Sequence, residues 1–176
     1  MNVQKQFENA CKYGNIEEAK KLLQNNSNIN ISYEDEYVFR ISCGIYGKIE
    51  ILQWLLKVKP DIDISVFDEG PFRWACMYGN LQQAQWLLKV KPTINISADH
   101  DGAFRWACLN GHLEVAQWLL KVKPDIDIDS FDGNAFRIAC QDGHLEVAQW
   151  LHTLNTNKYH IKIENGVIKS WKINTK

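Results

Sequence analysis

Five cysteines recur along the chain at nearly equal intervals, and cysteine is a residue type that can bind metals or form disulfides. They are Cys11, Cys43, Cys76, Cys108 and Cys140, separated by 32, 33, 32 and 32 residues. Zinc needs four ligands around one point, usually from closely spaced pairs, and the chain contains no CxxC. A disulfide needs Cα atoms within about 7 Å, whereas neighbouring packed helices lie about 8–10 Å apart. We therefore predict five small buried side chains where helices approach closely.

The other residues that could take part in catalysis or ligand binding do not form a recognisable active site. His112 and His144 have neither a third ligand nor a carboxylate pair nearby, and we interpret them as residues at helix starts. The stretch GIYGK at 44–48 is similar to a phosphate loop but lacks the four-residue gap and the hydroxyl residue after the lysine. No nucleophile and base stand together in a pattern that repetition does not already explain. We expect no catalytic residues, no metal site and no cofactor, and therefore no enzyme.

Length and composition bound the classes of protein to which the chain can belong. With 176 residues, of which 45% are hydrophobic, it can form one domain with a buried core. A net charge of −1 argues against a general nucleic-acid binder or a membrane-surface protein. No apolar run approaches the ~18 residues of a membrane span, and the first residues lack the apolar stretch of a signal peptide. With the odd number of cysteines, this predicts a reducing intracellular compartment, the cytoplasm.

The cysteines belong to a longer pattern that occurs five times. Glycines share the period at Gly14, Gly47, Gly79, Gly111 and Gly143. Tryptophans recur at Trp54, Trp86, Trp118 and Trp150, and phenylalanines followed by arginine recur at Phe39, Phe72, Phe104 and Phe136. Repetition with this period is typical of arrays of stacked structural units. One extra residue falls before Gly47, in a turn where an insertion is tolerated.

Each unit has the pattern of two helices, shown most clearly by the fourth. The first helix is predicted roughly over 103–109, and the turn at Asn110-Gly111 ends it. The second is predicted roughly over 112–122, and its polar residues fall on one narrow arc. A helix that is apolar over the remaining wide arc is covered on three sides, as in a stacked array. Pro124 then stops the helix, and an extended segment leads into a turn.

The repeated phrase resembles the ankyrin repeat. The matching residues of the fourth unit are Ala107-Cys108, NGHLEV at 110–115, Leu119-Leu120 and Asp125-Ile126-Asp127. The resemblance implies an all-α ankyrin-repeat solenoid forming a single domain over 1–176. Its units lie at about 1–31, 32–64, 65–96, 97–128 and 129–155. The wording of the FR-AC and AQWLL segments is similar to the ankyrin proteins of large DNA viruses of amoebae, which implies a viral protein that engages a host protein.

The chain departs from the ankyrin pattern at two places. GAFR at 102–105 and its counterparts replace the family's TPLH turn. Lysines that precede proline replace the glycine that usually follows the second helix, at Lys59, Lys91 and Lys123. Because a residue before proline avoids helical geometry, we expect an exit without the family's left-handed cap.

Both ends of the array differ from its middle units. The first unit carries Lys21 where Trp54 stands in the second, and Glu8 where the arginine stands, which predicts a polar cap. After about residue 155 the period fails, and a β-hairpin is predicted at about 158–174. A two-residue Asn-Gly loop would place Lys162 opposite Lys169. A three-residue loop with Gly166 in a bulge pairs Ile163 with Val167 and Tyr159 with Trp171, and we favour it because it makes one apolar face that covers the last helices.

Three sets of residues at equivalent positions of the repeats could either stabilise the fold or bind a partner. Lysines near the ends of the second helices stand at Lys57, Lys59, Lys89, Lys91, Lys121 and Lys123. We interpret them as C-terminal helix charges with aspartates close by, although such a column could follow a phosphate backbone. The arginines after the phenylalanines could receive an acidic partner, and we favour hydrogen bonds to the turns between repeats. The tryptophans are predicted to pack against a neighbouring repeat, with an exposed docking ladder as the alternative.

Positions that differ between otherwise similar units predict where a partner binds. They follow each cysteine, as at Ile45 and Tyr46, and they occupy the turn tips, as at Phe131 and Asp132. In the ankyrin family these are concave-face and hairpin-tip positions. The predicted partner-binding residues are Trp74, Met77, Tyr78, Trp106, Leu109, Asn110, Asp68, Glu69, Asp99, His100, Asp101, Gln141 and Asp142. An aromatic and apolar centre with an acidic rim is typical of a protein-binding hot spot.

The function expected from this pattern is recognition of another protein by a monomer, without binding to nucleic acid or membrane. Alternatively, Trp74 and Trp106 only pack within the groove. Two further alternatives concern the whole chain: an adaptor fragment of a larger ubiquitin-ligase-type or scaffold assembly, and a purely structural repeat.

Overall fold

A computed structural model describes residues 2–44 and 46–174. The helices of this part of the chain are α1 (Val3–Lys12), α2 (Ile16–Asn25), α3 (Tyr33–Ser42), α4 (Ile49–Val58), α5 (Val66–Met77), α6 (Leu81–Val90), α7 (Ala98–Leu109), α8 (Leu113–Val122), α9 (Ser130–Gln141) and α10 (Leu145–Leu154). Two antiparallel strands follow, β1 (Tyr159–Glu164) and β2 (Val167–Ile173). The helices form five consecutive pairs, which confirms the predicted helix-turn-helix units and the terminal hairpin.

The chain divides into two compact units, each larger than a single repeat. The first holds the described residues up to Ala75 together with Asn80–Asn95, and the second holds Cys76–Gly79 and the described residues from Ile96 onward. In the first unit α1 packs against α2 and α3, and α3 packs against α4. In the second, α7 packs against α8 and α9, α10 packs against α9 and β1, and α9 packs against β2.

The cores of the two units contain the repeated phenylalanines and cysteines. The first unit buries Phe7, Phe39, Phe72, Cys11 and Cys43, and the second buries Phe104, Phe136, Cys76, Cys108 and Cys140. The prediction of buried cysteines is therefore confirmed. Burial raises the pKa of the Cys11 and Cys140 thiols to about 12. These thiols stay protonated at neutral pH and are poor nucleophiles.

In the second, third and fourth repeats the second helix ends two residues before a proline, at Pro60, Pro92 and Pro124. In α8, Val115, Ala116 and Leu119 are buried, and Lys123 after the helix has φ −137° and ψ 85°. Lys59 and Lys91 have nearly the same backbone angles after α4 and α6. This extended geometry confirms the predicted exit without a left-handed cap.

The first helix of each repeat from the second onward begins with a turn of left-handed residues. Three successive residues have positive φ at 34–36, 67–69, 99–101 and 131–133. Of these positions only Gly133 is a glycine, although the left-handed conformation costs an L-residue about 1–2 kcal/mol. In α7 the right-handed helix begins only after Asp101, close to the predicted start at 103.

Two of the repeated tryptophans pack against the phenylalanine of the preceding repeat. The ring centroids of Trp54 and Phe7 are 6.2 Å apart, as are those of Trp150 and Phe104. Both tryptophans are partly buried. At these two positions the predicted packing against a neighbouring repeat is confirmed.

The register of the hairpin differs from the predicted one. Glu164 pairs with Val167, so the loop has two residues, Asn165 and Gly166, both with positive φ as a type I′ turn requires. Ile163 pairs with Ile168, and Tyr159 pairs with Ile173. The predicted three-residue loop is therefore wrong.

A bulge in β2 changes the residue that pairs with Lys162. The register shifts after Lys162, which pairs with Ser170 and leaves Lys169 as the extra residue of β2. Two lysines that would otherwise face each other are thus kept apart. The shift also keeps Ile161 opposite Trp171, so the predicted apolar face forms despite the different loop.

The apolar face of the hairpin covers the end of the second unit. The ring of Tyr159 stacks on Phe136 with centroids 4.5 Å apart, and Trp171 meets Phe136 edge-on at 6.4 Å. The Tyr159 hydroxyl donates to the carbonyl oxygen of Ile128 at 3.2 Å and bonds the Asp129 carboxylate. These contacts confirm that the hairpin covers the last helical pair.

Candidate protein-binding surfaces

The repeated arginines hold the left-handed turns of their own repeats. Arg40 Nε donates to the carbonyl oxygen of Asp35, and its Nη2 donates to that of Glu34, both at 3.0 Å. Arg73 makes the same two bonds to Asp68 and Phe67, both at 2.8 Å. A guanidinium presents two parallel donors in a fixed fork, so it can bind two successive carbonyls at once.

The fourth repeat follows this pattern and the fifth does not. Arg105 Nε donates to the carbonyl oxygen of His100 at 3.0 Å, and its Nη2 donates to that of Asp99 at 2.8 Å. Arg137 Nη1 instead donates to Gln141 Oε1 at 3.4 Å. The predicted role of the arginines in the turns is thus confirmed for three of the four.

Two of these guanidinium groups also support an aromatic ring of the following repeat. The Arg40 guanidinium lies 4.3 Å from the ring centroid of Phe67, and that of Arg105 lies 4.6 Å from Phe131. His100 adds an edge-on contact to Phe131 at 5.5 Å. One arginine therefore fixes its own turn and supports the next one.

Phe67 and Phe131 are nevertheless among the most exposed large apolar residues, at 55% and 59% of their surface. From the sequence, Phe131 was predicted only as a variable tip residue, and no role was predicted for Phe67. A signal was present, because Glu34 and Asp99 occupy the equivalent positions of other repeats. The turn therefore accepts an acidic residue there, and its fold does not require phenylalanine.

Two predicted tip residues, Glu69 and Asp101, are not exposed. Each retains only 8% of its surface. Glu69 Oε1 accepts the backbone N–H of Asn95 at 3.3 Å, and Asp101 Oδ2 accepts that of Asp127 at 3.1 Å. These carboxylates join a turn to the segment that follows the next helix, so they are engaged within the fold and are not open to a partner.

The same connection occurs in the first repeat with an amide in place of a carboxylate. Gln4 Oε1 accepts the Asn30 backbone N–H at 3.0 Å, and Gln4 Nε2 donates to the Asn30 carbonyl at 3.1 Å. Gln4, Glu69 and Asp101 all stand three residues before the buried phenylalanine of their repeat. That common spacing was the sequence signal for a structural role.

The remaining predicted tip residues are accessible. Asp68 is exposed in the first unit, and Asp99 and His100 are exposed in the second. Asp99 also lies 3.5 Å from Arg105 Nη2. Acidic side chains thus stand next to the exposed phenylalanines, at Asp68 beside Phe67 and Asp132 beside Phe131.

The predicted residues of the helix face differ in exposure. Trp74 in the first unit is partly buried, as are Met77, Tyr78 and Leu109 in the second, whereas Trp106 is exposed. Three further residues of the second unit are exposed: Asn110, Gln141 and Asp142. Asn110 Nδ2 donates to the Trp106 carbonyl at 2.8 Å. Ile45, one of the variable positions after a cysteine, lies outside the described residues.

The two repeated histidines pack on glycine turns of the preceding repeat. A Cβ added to Gly79 would lie 2.6 Å from His112 Nδ1, and one added to Gly111 would lie 2.6 Å from His144 Nδ1. Burial lowers the pKa of His112 despite its hydrogen bond to the Met77 backbone. These contacts agree with a structural role at the helix starts.

The lysines after the second helices have partners close by. Lys59 Nζ lies 2.8 Å from Asp61, and Lys123 Nζ lies 2.8 Å from Asp125. Hydrogen bonds from these lysines lower the pKa of both aspartates. Lys91 bonds the Ser65 hydroxyl. These pairs favour the structural interpretation of the lysine column.

Comparisons with known proteins agree with the repeat geometry. The family model described as ankyrin repeats (3 copies) matches residues 72–164, which is more than half of the chain. The model described as ankyrin repeats (many copies) matches residues 37–88. No curated protein matches the chain. Within the described part of the chain, no helix is long and apolar enough to cross a membrane.

Proposed function

Because the chain belongs to the ankyrin-repeat family, whose members are generally non-enzymatic protein–protein interaction modules, we propose that it is a protein-binding module without catalytic activity. Two surfaces carry the binding. The tip surface comprises Phe67 and Asp68 in the first unit and Asp99, His100, Phe131 and Asp132 in the second. The helix-face surface, whose positions belong to the concave face in this family, comprises Trp74 in the first unit and Met77, Tyr78, Trp106, Leu109, Asn110, Gln141 and Asp142 in the second.

The observation that carries this proposal is the exposure of Phe67 and Phe131. A bulky residue in the left-handed conformation is an outlier, and exposing its ring forgoes the stabilisation of burial, about 1.5–3 kcal/mol for a phenylalanine. The arginine beneath each ring and the hydrogen-bonded turn fix its position before a partner arrives. A preordered aromatic anchor loses little side-chain entropy when it enters a pocket.

The chemistry of the tip surface indicates the kind of partner. Each exposed phenylalanine is followed by an exposed aspartate, Asp68 or Asp132. A complementary surface would offer apolar pockets bordered by lysine or arginine. The paired lysines after the second helices support a protein over a nucleic acid, since their charges are balanced by nearby aspartates.

Only the amino-acid sequence of the repeats indicates the organism from which the partner would come. The FR-AC and AQWLL segments support a viral protein that acts in the cytoplasm of an amoebal host and binds a host protein as a monomer. The proposed binding surfaces do not depend on this origin.

Affinity capture with matched variants tests the proposal. In the tip variant, Phe67→Asp and Phe131→Asp place the residue type that position 99 already carries, so the turns should fold. The helix-face variant carries Trp74→Ala, Tyr78→Ala and Leu109→Asp, and the control carries Val167→Asp on the exposed hairpin. Circular dichroism first establishes that all three are folded.

The proposal predicts a protein from amoebal lysate that the intact chain and the control retain and that at least one surface variant loses. Equal capture by all four proteins, or no specific capture, contradicts it.

A further inference from the structure

The second repeat contains one residue more between its cysteine and its turn glycine than any other repeat. In this loop the Gly47 N–H donates to the Gly44 carbonyl at 3.0 Å. A Cβ added to Gly47 would lie 1.7 Å from the carbonyl oxygen of Ser42. Gly47 thus lies tightly against the end of α3, and only glycine fits at this position.

Two polar side chains from α6 and its N-cap hold this loop. Asn80 Nδ2 donates to the carbonyl oxygens of Cys43 at 3.1 Å and Gly44 at 2.9 Å. Gln83 Nε2 donates to the carbonyl oxygen of Gly47 at 2.9 Å. Three carbonyls of the enlarged loop are therefore satisfied by side chains of the following repeat.

Gln83 is unusual for its position. Where Gln83 stands, the fourth and fifth repeats carry Val115 and Val147, and both valines are buried. Gln83 is also buried, and its Oε1 has no hydrogen-bond partner among the described residues. A buried polar group that is only partly bonded costs stability compared with an apolar one. The chain thus places a costly residue in the repeat that follows the insertion, where its amide binds the carbonyl oxygen of Gly47.

The clamped loop displays Tyr46 beside Tyr13, the equivalent tyrosine of the first repeat. Their ring centroids are 5.2 Å apart with a tilt of 45°, and each tyrosine exposes 54% of its surface. Neither ring therefore serves mainly to fill the core. Tyrosine offers a large apolar ring and a hydroxyl at low cost in side-chain entropy, so it is enriched in binding hot spots.

Two lysines border the tyrosine pair. The Lys12 ammonium lies 5.3 Å from the centroid of the Tyr13 ring, and the stem of Lys48 lies against Gly14. Within the described residues neither lysine forms an ion pair. The Glu17 carboxylate, four residues after Tyr13 in the sequence, is 2.9 Å from Lys20 Nζ.

We infer that Lys12, Tyr13, Tyr46 and Lys48 form a second docking site, the tyrosine–lysine patch, for an acidic protein segment that carries an apolar side chain. The two rings accept the apolar side chain between or across them, and the two ammonium groups attract the carboxylates around it. The patch lies at the turn between the two helices of a repeat and shares no residue with the tip or helix-face surfaces. It therefore stands or fails independently of the function proposed above.

A random peptide library displayed on phage tests this inference with the full chain as bait. The patch variant carries Tyr13→Ala and Tyr46→Ala, and the control carries Tyr33→Ala, another exposed tyrosine of the same unit. We expect the intact chain and the control to enrich peptides rich in Asp and Glu with a Leu, Phe or Trp, and the patch variant to enrich none of them.

Fluorescence anisotropy with an enriched peptide then measures the contributions. We expect affinity to fall at least about tenfold for the patch variant, to weaken with salt, and to lose most of its salt dependence in Lys12→Gln/Lys48→Gln. A variant with Asn80→His and Gln83→Val, the residues of the fourth repeat, should stay folded and bind more weakly because the loop is no longer clamped.

Three outcomes overturn the inference. Enriched peptides without acidic character, or equal enrichment by the patch variant and the intact chain, remove the patch as an acidic-peptide site. Tighter binding of a single-stranded oligonucleotide than of any acidic peptide would assign the aromatic pair and its lysines to nucleic acid instead.

Discussion

The left-handed turns at 99–101 and 131–133 have nearly the same backbone but are held by different partners. In the fourth repeat Arg105 binds two turn carbonyls, and Asp101 accepts the backbone N–H of Asp127. In the fifth repeat Gly133 occupies the place of Asp101, and the ring of Tyr159 from the hairpin lies against it. The turn of the fourth repeat is thus held by residues of its own repeat, whereas the hairpin takes part in holding the turn of the fifth.

The largest effect should come from filling the space beneath Tyr159. In Gly133→Ala the new Cβ would lie 2.9 Å from the Tyr159 ring at a φ of +72°. Left-handed strain and the displaced ring should together lower the free energy of unfolding by about 3 kcal/mol in urea denaturation. Gly143→Ala is the control, because the φ of Gly143 is +76° but a Cβ added there would have no neighbouring side chain or backbone within 4 Å. It should lose only about 1 kcal/mol, from left-handed strain alone, and equal losses would show that Tyr159 does not press on the turn.

The next largest difference between the two turns should come from replacing their arginines. Arg105→Gln loses two charged hydrogen bonds to carbonyls and should cost about 2 kcal/mol of unfolding free energy. Arg137→Gln is the matched change in the fifth repeat, where the guanidinium bonds Gln141. It should cost less than about 0.5 kcal/mol. Similar costs in thermal or urea unfolding would mean that the fork is dispensable.

The buried carboxylate of the fourth repeat should have a somewhat smaller effect. Asp101→Ala leaves the Asp127 N–H without its acceptor and should cost about 1.5 kcal/mol. Asp132→Ala is the control, since Asp132 is exposed and has nearly the same φ, 56° against 57°. The difference between the two variants separates the left-handed strain from the hydrogen bonds that the buried carboxylate accepts, from the Asp127 N–H and from the Ser97 hydroxyl. No difference would remove Asp101 from the account.

The smallest effect should come from the hydroxyl of Tyr159, and it should depend on pH. Tyr159→Phe loses the bonds to Ile128 and Asp129 and should cost about 1 kcal/mol at neutral pH. Burial and the Asp129 carboxylate raise the pKa of the Tyr159 phenol well above its ordinary value of 10.0. Above pH 10 the unfolded chain therefore releases a proton that the folded chain retains, which favours unfolding of the wild type. The stability difference between wild type and Tyr159→Phe should thus narrow as pH rises above 10, and a constant difference would contradict this assignment.

The helical part of the fold was predictable because its signal is periodic. Repeated Phe, Cys, Gly and Trp positions define five helix pairs, and burial of each phenylalanine and cysteine follows from that period. The proline after Lys123 predicts the extended exit of α8, because the restriction is local to two residues. The apolar face of the hairpin was also predictable, since it depends on alternation along the strands.

The turns and the register depended on contacts that a linear pattern does not contain. Nothing in the residue types at 67–69 predicts three positive φ angles, or that Arg73 binds the carbonyl oxygens of Phe67 and Asp68. Because position 69 varies between repeats, Glu69 was predicted to be exposed, yet its carboxylate accepts the backbone N–H of Asn95. The hairpin register followed the Asn-Gly loop, and a bulge rather than a longer loop kept Lys162 from Lys169.

Some of the missed features had a sequence signal. Gln83 stands at a position where other repeats carry a buried valine, and it occurs only in the repeat that follows the insertion. Phe67 stands where Glu34 and Asp99 occur in other repeats. In a repeat protein, a residue that departs from its counterparts in polarity identifies either a local compensation, as at Gln83, or an exposed anchor, as at Phe67.

Photo-crosslinking from position 67 tests the central claim, that the clamped turns present aromatic anchors to another protein. The change Phe67→p-benzoylphenylalanine keeps an aromatic side chain at the tip, and the same residue at the exposed Val167 position of the hairpin is the control. We predict one dominant protein adduct in amoebal lysate from position 67 and none from position 167. No adduct from position 67, or the same adducts from both positions, would contradict the account.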